Sequence, residues 1–160
     1  MYSHFANKEA LFSACIRAKV SGYGFDETAL VDKPDVRQAL LGVARRFVEL
    51  MLDPDVIAMH RVVMAEAASQ PRSANLLFDS GPKKTKAAVC AFLQGQVDAG
   101  RLVIPPERLL YAAFQLLNNA IGIYQLPLWL GLRQTVDEAE LRVHLERVVD
   151  DFLTLYGVAP

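Results

Sequence analysis

The sequence predicts an all-α fold, and three observations carry that prediction. Apolar residues recur at steps of three and four over most of the chain. Most prolines fall between those periodic segments, where helices start and stop. No alternating run of strand length, internal repeat or low-complexity tract breaks the pattern. At 160 residues the chain is expected to be one domain with a substantial core. Apolar residues make up 52% and charged residues 22%, which suits a globular protein with heavily buried helices. A net charge of −1 supplies no global basic field, so any contact with DNA has to be local. Cys15 and Cys90 form no CxxC or Cys/His cluster and read as buried free thiols in a reducing cytoplasm. The N-terminus begins polar and aromatic rather than basic then apolar, unlike a signal peptide.

The first helix is expected to run from Asn7 into the Gly22–Gly24 region. Asn7 is a good N-cap, Glu9 suits the positive end of the helix dipole, and Leu11, Phe12, Cys15 and Ile16 repeat at helical spacing. Lys8 is a cation at the wrong end of that dipole, a mismatch that an outside anion such as phosphate would remove. A polar connection leads to Pro34 and a second helix over about Asp35 to Leu52. Its stripe is Val36, Leu40, Val43, Phe47 and Met51. Asp53-Pro54-Asp55 stops that helix and starts a third, with Asp53 as N-cap and Pro54 in the first turn. The third ends at Gln70-Pro71, and a short segment from Arg72 to Asp79 meets Ser80-Gly81-Pro82. The next helix spans about Lys83 to Ala99, with Gly100 as its stop. Ile104-Pro105-Pro106 turns the chain into a long helix, and Asp137 to Tyr156 makes the last. The last helix has an apolar face of Leu141, Leu145, Val148, Val149, Phe152, Leu155 and Tyr156.

The long helix is the most informative. From Leu109 to Leu132 no side chain is charged, a length that could cross a bilayer. Gln115, Asn118, Asn119 and Gln125, with Pro127, argue against lipid and for a helix covered on most sides by protein. At 100° per residue, Tyr111, Gln115, Asn118, Asn119 and Gly122 share one side. The apolar remainder is too broad for one domain face and needs a cavity or a second subunit as well.

Two stretches resemble a known family. Tyr2-x-His4-Phe5-x-x-Lys8-Glu9-x-Leu11-Phe12 resembles the junction between the DNA-recognition helix and the following helix of TetR-type transcriptional regulators. Arg61-x-Val63-x-Ala65-Glu66-Ala67-x-x-x-Pro71, then Leu77-Phe78, Gly81-Pro82 and Ala99-Gly100, looks like the C-terminal domain of AefR-like members of that family, over about residues 35 to 130. The resemblance implies a helical effector-binding and dimerisation domain over residues 7–160. Residues 1–6 would be the tail of a recognition helix whose helix-turn-helix is mostly missing. It further implies that Tyr2, His4 and Lys8 contact operator DNA, in the full-length protein only, because both helices of the motif are needed to read it. The last two helices would pair in a homodimer, with Gln115, Asn119, Gly122, Leu145, Val149 and Phe152 at the seam.

A mostly apolar pocket is expected among the middle helices, lined by Phe47, Met51, His60, Met64, Phe92, Gln96, Phe114 and Asn118. These residues combine aromatic and flexible surface with a few polar handles, as ligand sites do. The competing reading is a fully packed core, which the lack of an internal void above about 300 Å³ would favour unless the pocket opens only on binding. Arg61 and Glu66 read as an ion pair or as separate solvated charges, since no nucleophile accompanies them. His4, His60 and His144 lack ligand spacing, so no metal or other cofactor is expected. Lys83, Lys84 and Lys86 read as a solvated face. The reading is a ligand-responsive regulator, a repressor by resemblance, with a small apolar or amphipathic effector, in the cytoplasm and not in a membrane. A small helical enzyme or carrier sharing only the corner motif is the alternative.

Overall fold

The computed structural model describes residues 8–25 and 35–159. Among them the helices are α1 Lys8–Gly22, α2 Val36–Leu52, α3 Pro54–Glu66, α4 Pro71–Ser80, α5 Pro82–Asp98, α6 Leu109–Trp129 and α7 Glu138–Tyr156. A 3-10 turn at Pro106–Arg108 leads into α6, and one antiparallel bridge pairs Leu102 with Gly157. The described residues hold no strand, in agreement with the all-α expectation.

Local chemistry sets the boundaries. Asp35, Asp53 and Asp137 each cap a helix, accepting from the backbone N–H of Arg37 (2.9 Å), Asp55 (2.9 Å) and Glu140 (3.1 Å). Pro54, Pro71 and Pro82 open α3, α4 and α5, where a missing N–H costs nothing. The expected Asn7 cap lies outside the described residues. After α1 and α5 the chain turns through Gly24 (φ +88°) and Gly100 (φ +75°), a left-handed conformation that favours glycine. The next N–H then reaches back six residues inclusive, Phe25 to the Val20 carbonyl (3.1 Å) and Arg101 to that of Gln96 (2.9 Å).

The uncharged helix α6 stands at the centre, packed against α2, α3, α5 and α7. Ala112, Ala113, Leu116, Leu117, Ala120, Ile121, Tyr124 and Leu128 are buried, and the alanines let neighbouring helices approach closely. Among the described residues no helix is long and apolar enough to cross a membrane. The side predicted from Tyr111, Asn118, Asn119 and Gly122 is the exposed one, but Leu110, Ile123 and Leu126 join it at 54–60% exposure. Gln115 is half-buried, accepting a hydrogen bond from the hydroxyl of Tyr156 on α7.

Three expectations need correction. First, α2 buries more than a stripe: Ala39, Ala44, Val48 and Leu50 are covered along with Leu40 and Val43, because α3, α6 and α7 all pack on it. Val36, Phe47 and Met51 are only half-buried. Second, Cys15 is exposed and Cys90 only partly buried, so neither is a core thiol. Third, Arg61 is neither paired with Glu66 nor simply solvated. Its guanidinium donates to the carbonyls of Trp129 (Nε, 2.9 Å) and Leu128 (Nη2, 2.8 Å), closing the C-terminal end of α6. A cation there also meets the negative end of the helix dipole.

Arg61→Ala should therefore lower stability by about 1–2 kcal/mol, with Arg61→Lys recovering part of the loss. Urea unfolding followed by circular dichroism measures this. Equal midpoints for Arg61→Ala and the parent chain would remove the capping role.

Candidate functional site

A cavity of about 150 Å³ lies between α1, α2, α3, α6 and the α4–α5 corner. Its walls are almost wholly apolar. Ile16 and Val20 come from α1, Phe47, Leu50 and Met51 from α2, and Val56 and Met59 from α3. Leu77, Gly81 and Pro82 form the corner, and Phe114 and Leu117 come from α6. The lining follows from the half-buried side chains of α2: Phe47 and Met51 sit where its packing surface opens.

Polar groups stand at the edges. His60 is set by its Nδ1, 2.8 Å from the Val56 carbonyl, which assigns that nitrogen the proton. The imidazole stacks on Trp129, with ring centroids 5.7 Å apart and planes at 22°. Thr85 lines the cavity while its hydroxyl donates to the Gly81 carbonyl (3.1 Å). Asn118 lies at the exposed rim. Lys86 is half-buried, with its ammonium 4.3 Å from the centre of the Phe114 ring and 4.8 Å from that of Phe78.

At the other edge Lys19 joins α1 to the α2–α3 corner. Its ammonium lies 3.0 Å from carboxylate oxygens of both Asp53 and Asp55, and the Tyr23 hydroxyl donates to Asp53 (2.7 Å). The hydrogen bonds to Asp53 and Asp55 hold the Lys19 pKa well above the ordinary lysine range. For Asp53 burial pushes upward, but the bonds from Tyr23 and Lys19 outweigh it and hold the carboxyl below its usual value. The Tyr23 phenol is pushed up, first by its bond to Asp53 and then by burial. Asp53 thus does two jobs, one oxygen capping α3 and the other receiving α1.

Of the expected lining residues, Phe47, Met51, His60, Phe114 and Asn118 come together on this cavity. Met64, Phe92 and Gln96 do not. Met64 is 46% exposed near the end of α3. Phe92 and Gln96 are buried further along α5, where the Gln96 carbonyl takes the Arg101 and Leu102 N–H groups. The void, at about 150 Å³, also lies below the bound of about 300 Å³. A wider groove of about 590 Å³, beside Lys8, Glu9, Val62 and Arg72, is open to solvent and mixes polar with apolar walls.

The α1 wall and Lys86 escaped the sequence reading. Lys83 and Lys84 are exposed as expected, but Lys86 is half-buried, with its ammonium over the Phe114 and Phe78 rings. It lies three residues before Val89 and seven before Leu93, both fully buried, so helical phase already carried the signal. Among the proposed DNA contacts, Tyr2 and His4 lie outside the described residues, and Lys8 is exposed at the start of α1. Among the seam residues Asn119 and Gly122 are exposed, with nothing within 4 Å of a methyl added at Gly122. Leu145, Val149 and Phe152 are 2%, 0% and 3% exposed within the single chain. They belong to its own core and leave no surface for a second subunit. Among the described residues no three His, Cys, Asp or Glu side chains gather as a metal site.

Over residues 38–158 the chain matches the family described as AefR-like transcriptional repressor, C-terminal domain. Among solved structures it resembles a TetR-family transcriptional regulator from Mesorhizobium loti, with TM-score 0.83 at 23% identity over 98% of this chain and 79% of that one. It also resembles the flavonoid-responsive regulator FrrA, with TM-score 0.80 at 26% identity over 99% of this chain and 80% of that one. A TetR family transcriptional regulator from Pseudomonas syringae pv. tomato aligns with TM-score 0.72 at 20% identity, over 99% and 78% of the two chains. No curated protein matches the chain.

The double role of Asp53 yields a graded expectation. Asp53→Ala, which loses cap and latch, should cost about 1–3 kcal/mol, and Asp53→Asn, which keeps the cap, distinctly less. Because the folded-state pKa is depressed, the ionic part is present above the ordinary aspartate value near 3.9 and is lost as pH falls through the folded value. Urea midpoints of the parent and Asp53→Asn should differ at neutral pH and converge below about pH 4. A gap that stays constant into acid would rule out the ionic latch.

Proposed function

Since the chain belongs to the AefR-like transcriptional repressor C-terminal domain family, which is a family of regulators and not of enzymes, we propose that it is the effector-binding and dimerisation part of a ligand-responsive repressor. One observation carries this reading: α1 forms a wall of the apolar cavity and is held to the α2–α3 corner by a polar latch. A small apolar or amphipathic effector that prefers one setting of α1 shifts the population toward that setting. The flavonoid-responsive character stated in the name of FrrA supports an aromatic effector. In a protein with a helix-turn-helix ahead of α1, such a shift would move the two reading heads relative to operator half-sites about 34–36 Å apart. Tyr2, His4 and Lys8 would contact phosphates there, giving affinity without sequence discrimination.

The homodimer seam is revised accordingly. It runs along the exposed side of α6, through Leu110, Tyr111, Asn119, Gly122, Ile123 and Leu126, and continues on Val143 and Leu155 of α7. Asn119 and Gly122 permit close approach and hydrogen bonding across a two-fold axis, over an interface of about 2,000 Å² in total.

The seam is tested by two classes of variant. Ile123→Glu with Leu126→Glu should convert the dimer into a folded monomer, measured by light scattering at micromolar concentration with circular dichroism. Leu145→Glu should unfold the chain instead, because it puts an unpaired charge into the core. A monomeric mass for the unsubstituted chain overturns the dimer.

For the ligand half of the reading, amide exchange of α1 is the readout. A ligand that occupies the cavity should change protection at Ile16 and Val20. Binding that leaves α1 exchange unchanged would break the link between cavity and reading head.

A further inference from the structure

We propose that the cavity selects a monocyclic aromatic carboxylate, with the ring on the apolar walls and the carboxylate on Lys86. This rests on the reading of the cavity as an effector site and names its ligand class. Size comes first. A void of about 150 Å³ is the size of cavity known to take a benzene ring, with no room for a fused polycycle unless the walls move. Charge comes second. Among the described residues that line the cavity there are two lysines and a histidine and no carboxylate.

The two lysines are not equivalent. Lys19 is already engaged by Asp53 and Asp55. Lys86 has no carboxylate partner among the described residues and is held by ring faces alone, Phe114 on the cavity side and Phe78 outside. Lys86 is half-buried as a residue and its ammonium meets two ring faces, which pair a cation only partly, and an anion entering at this point completes its pairing. Phe114 lines the cavity and touches Lys86, so a ring inside and a head group outside share one wall.

Other acidic groups fit less well. A phosphate asks for several donors, and among the described residues lining the cavity Lys86 is the one lysine without a carboxylate partner. A simple phenol is neutral near pH 7, since its pKa lies near that of tyrosine at about 10, and gains little from an ammonium. A carboxylate is ionised there and takes one charge-assisted bond.

The experiment titrates the chain with benzoate and with benzamide, its neutral counterpart of nearly equal shape. The readouts are calorimetry and the fluorescence of the single tryptophan, Trp129, which stacks on His60 of the cavity wall. Benzoate should bind about tenfold more tightly than benzamide, or better, and more so at low salt. Lys86→Met should erase that preference while benzamide binding persists, and Lys86→Arg should keep it. Melting curves confirm that each variant is folded. Equal binding of the two probes by the parent chain overturns the carboxylate assignment and leaves the cavity reading intact. A preference that survives Lys86→Met overturns the role of Lys86. Failure of both probes to bind, in the parent and in a cavity-enlarging Leu117→Ala variant, overturns the cavity reading itself.

Discussion

The stretch from Leu109 to Leu132 carries no charge, so the helix α6 that it forms cannot stand at a protein surface on all sides, and that constraint organises the molecule. The fold answers it by surrounding α6 with α2, α3, α5 and α7. Alanines at 112, 113 and 120 let backbones come close, while Leu116, Leu117 and Ile121 fill the spaces between. The end of this helix is itself a problem, because Pro127 sits in its last turns and, although the following turn donates to the Leu126, Pro127 and Leu128 carbonyls, no backbone N–H among the described residues reaches that of Trp129. Arg61 resolves it from across the bundle, tying α3 to the element that α3 helps to cover.

The periodic elements were legible in the sequence almost to their ends. Asp53-Pro54 and Gly100 marked their boundaries because capping is local chemistry, decided within a few residues. What periodicity could not show is how many neighbours a helix has. A stripe at steps of three and four reads the same for a helix with one partner or three, so Ala44 and Val48 of α2 went unnoticed. The same blindness sent Leu145, Val149 and Phe152 to a subunit seam. Their apolar face is real, but α2 and α6 of the same chain already use it. Leu110, Ile123 and Leu126 carry the surplus apolar surface instead.

The site was legible in part for a related reason. Phe47, Met51, His60, Phe114 and Asn118 were chosen as aromatic, flexible or polar side chains on apolar faces, and they converge. Phe92 and Gln96 met the same criteria and lie deeper in the core, since residue type does not tell a cavity wall from packed interior. Lys86 was missed through its company. Beside Lys83 and Lys84 it looked like part of a charged surface, whereas its phase places it with Val89 and Leu93. A lysine in that phase buries its stem and brings the ammonium out over aromatic rings.

These features bear on which wall of the cavity can yield. The α6 side is continuous with the fully buried core, where displacing Leu117 would disturb Leu116 and Ala120 as well. The α1 side has Ile16 and Val20 in apolar contact, and it is tied to its surroundings by the Lys19–Asp53–Asp55 cluster with Tyr23, by Phe25 packed edge-on against Phe47, and by the Glu9–Arg72 pair to α4. The Lys19–Asp55 and Glu9–Arg72 pairs each have one partner in solvent and contribute about 1 kcal/mol or less, so these ties are weak beside the core. Met51 and Met59 on the facing helices are unbranched and can change rotamer to follow a guest. A guest larger than about 150 Å³ therefore gains its room most cheaply by moving α1. A ligand shifts an equilibrium only by its differential affinity for the two states, so a guest held in this void favours the setting of α1 that closes best around it.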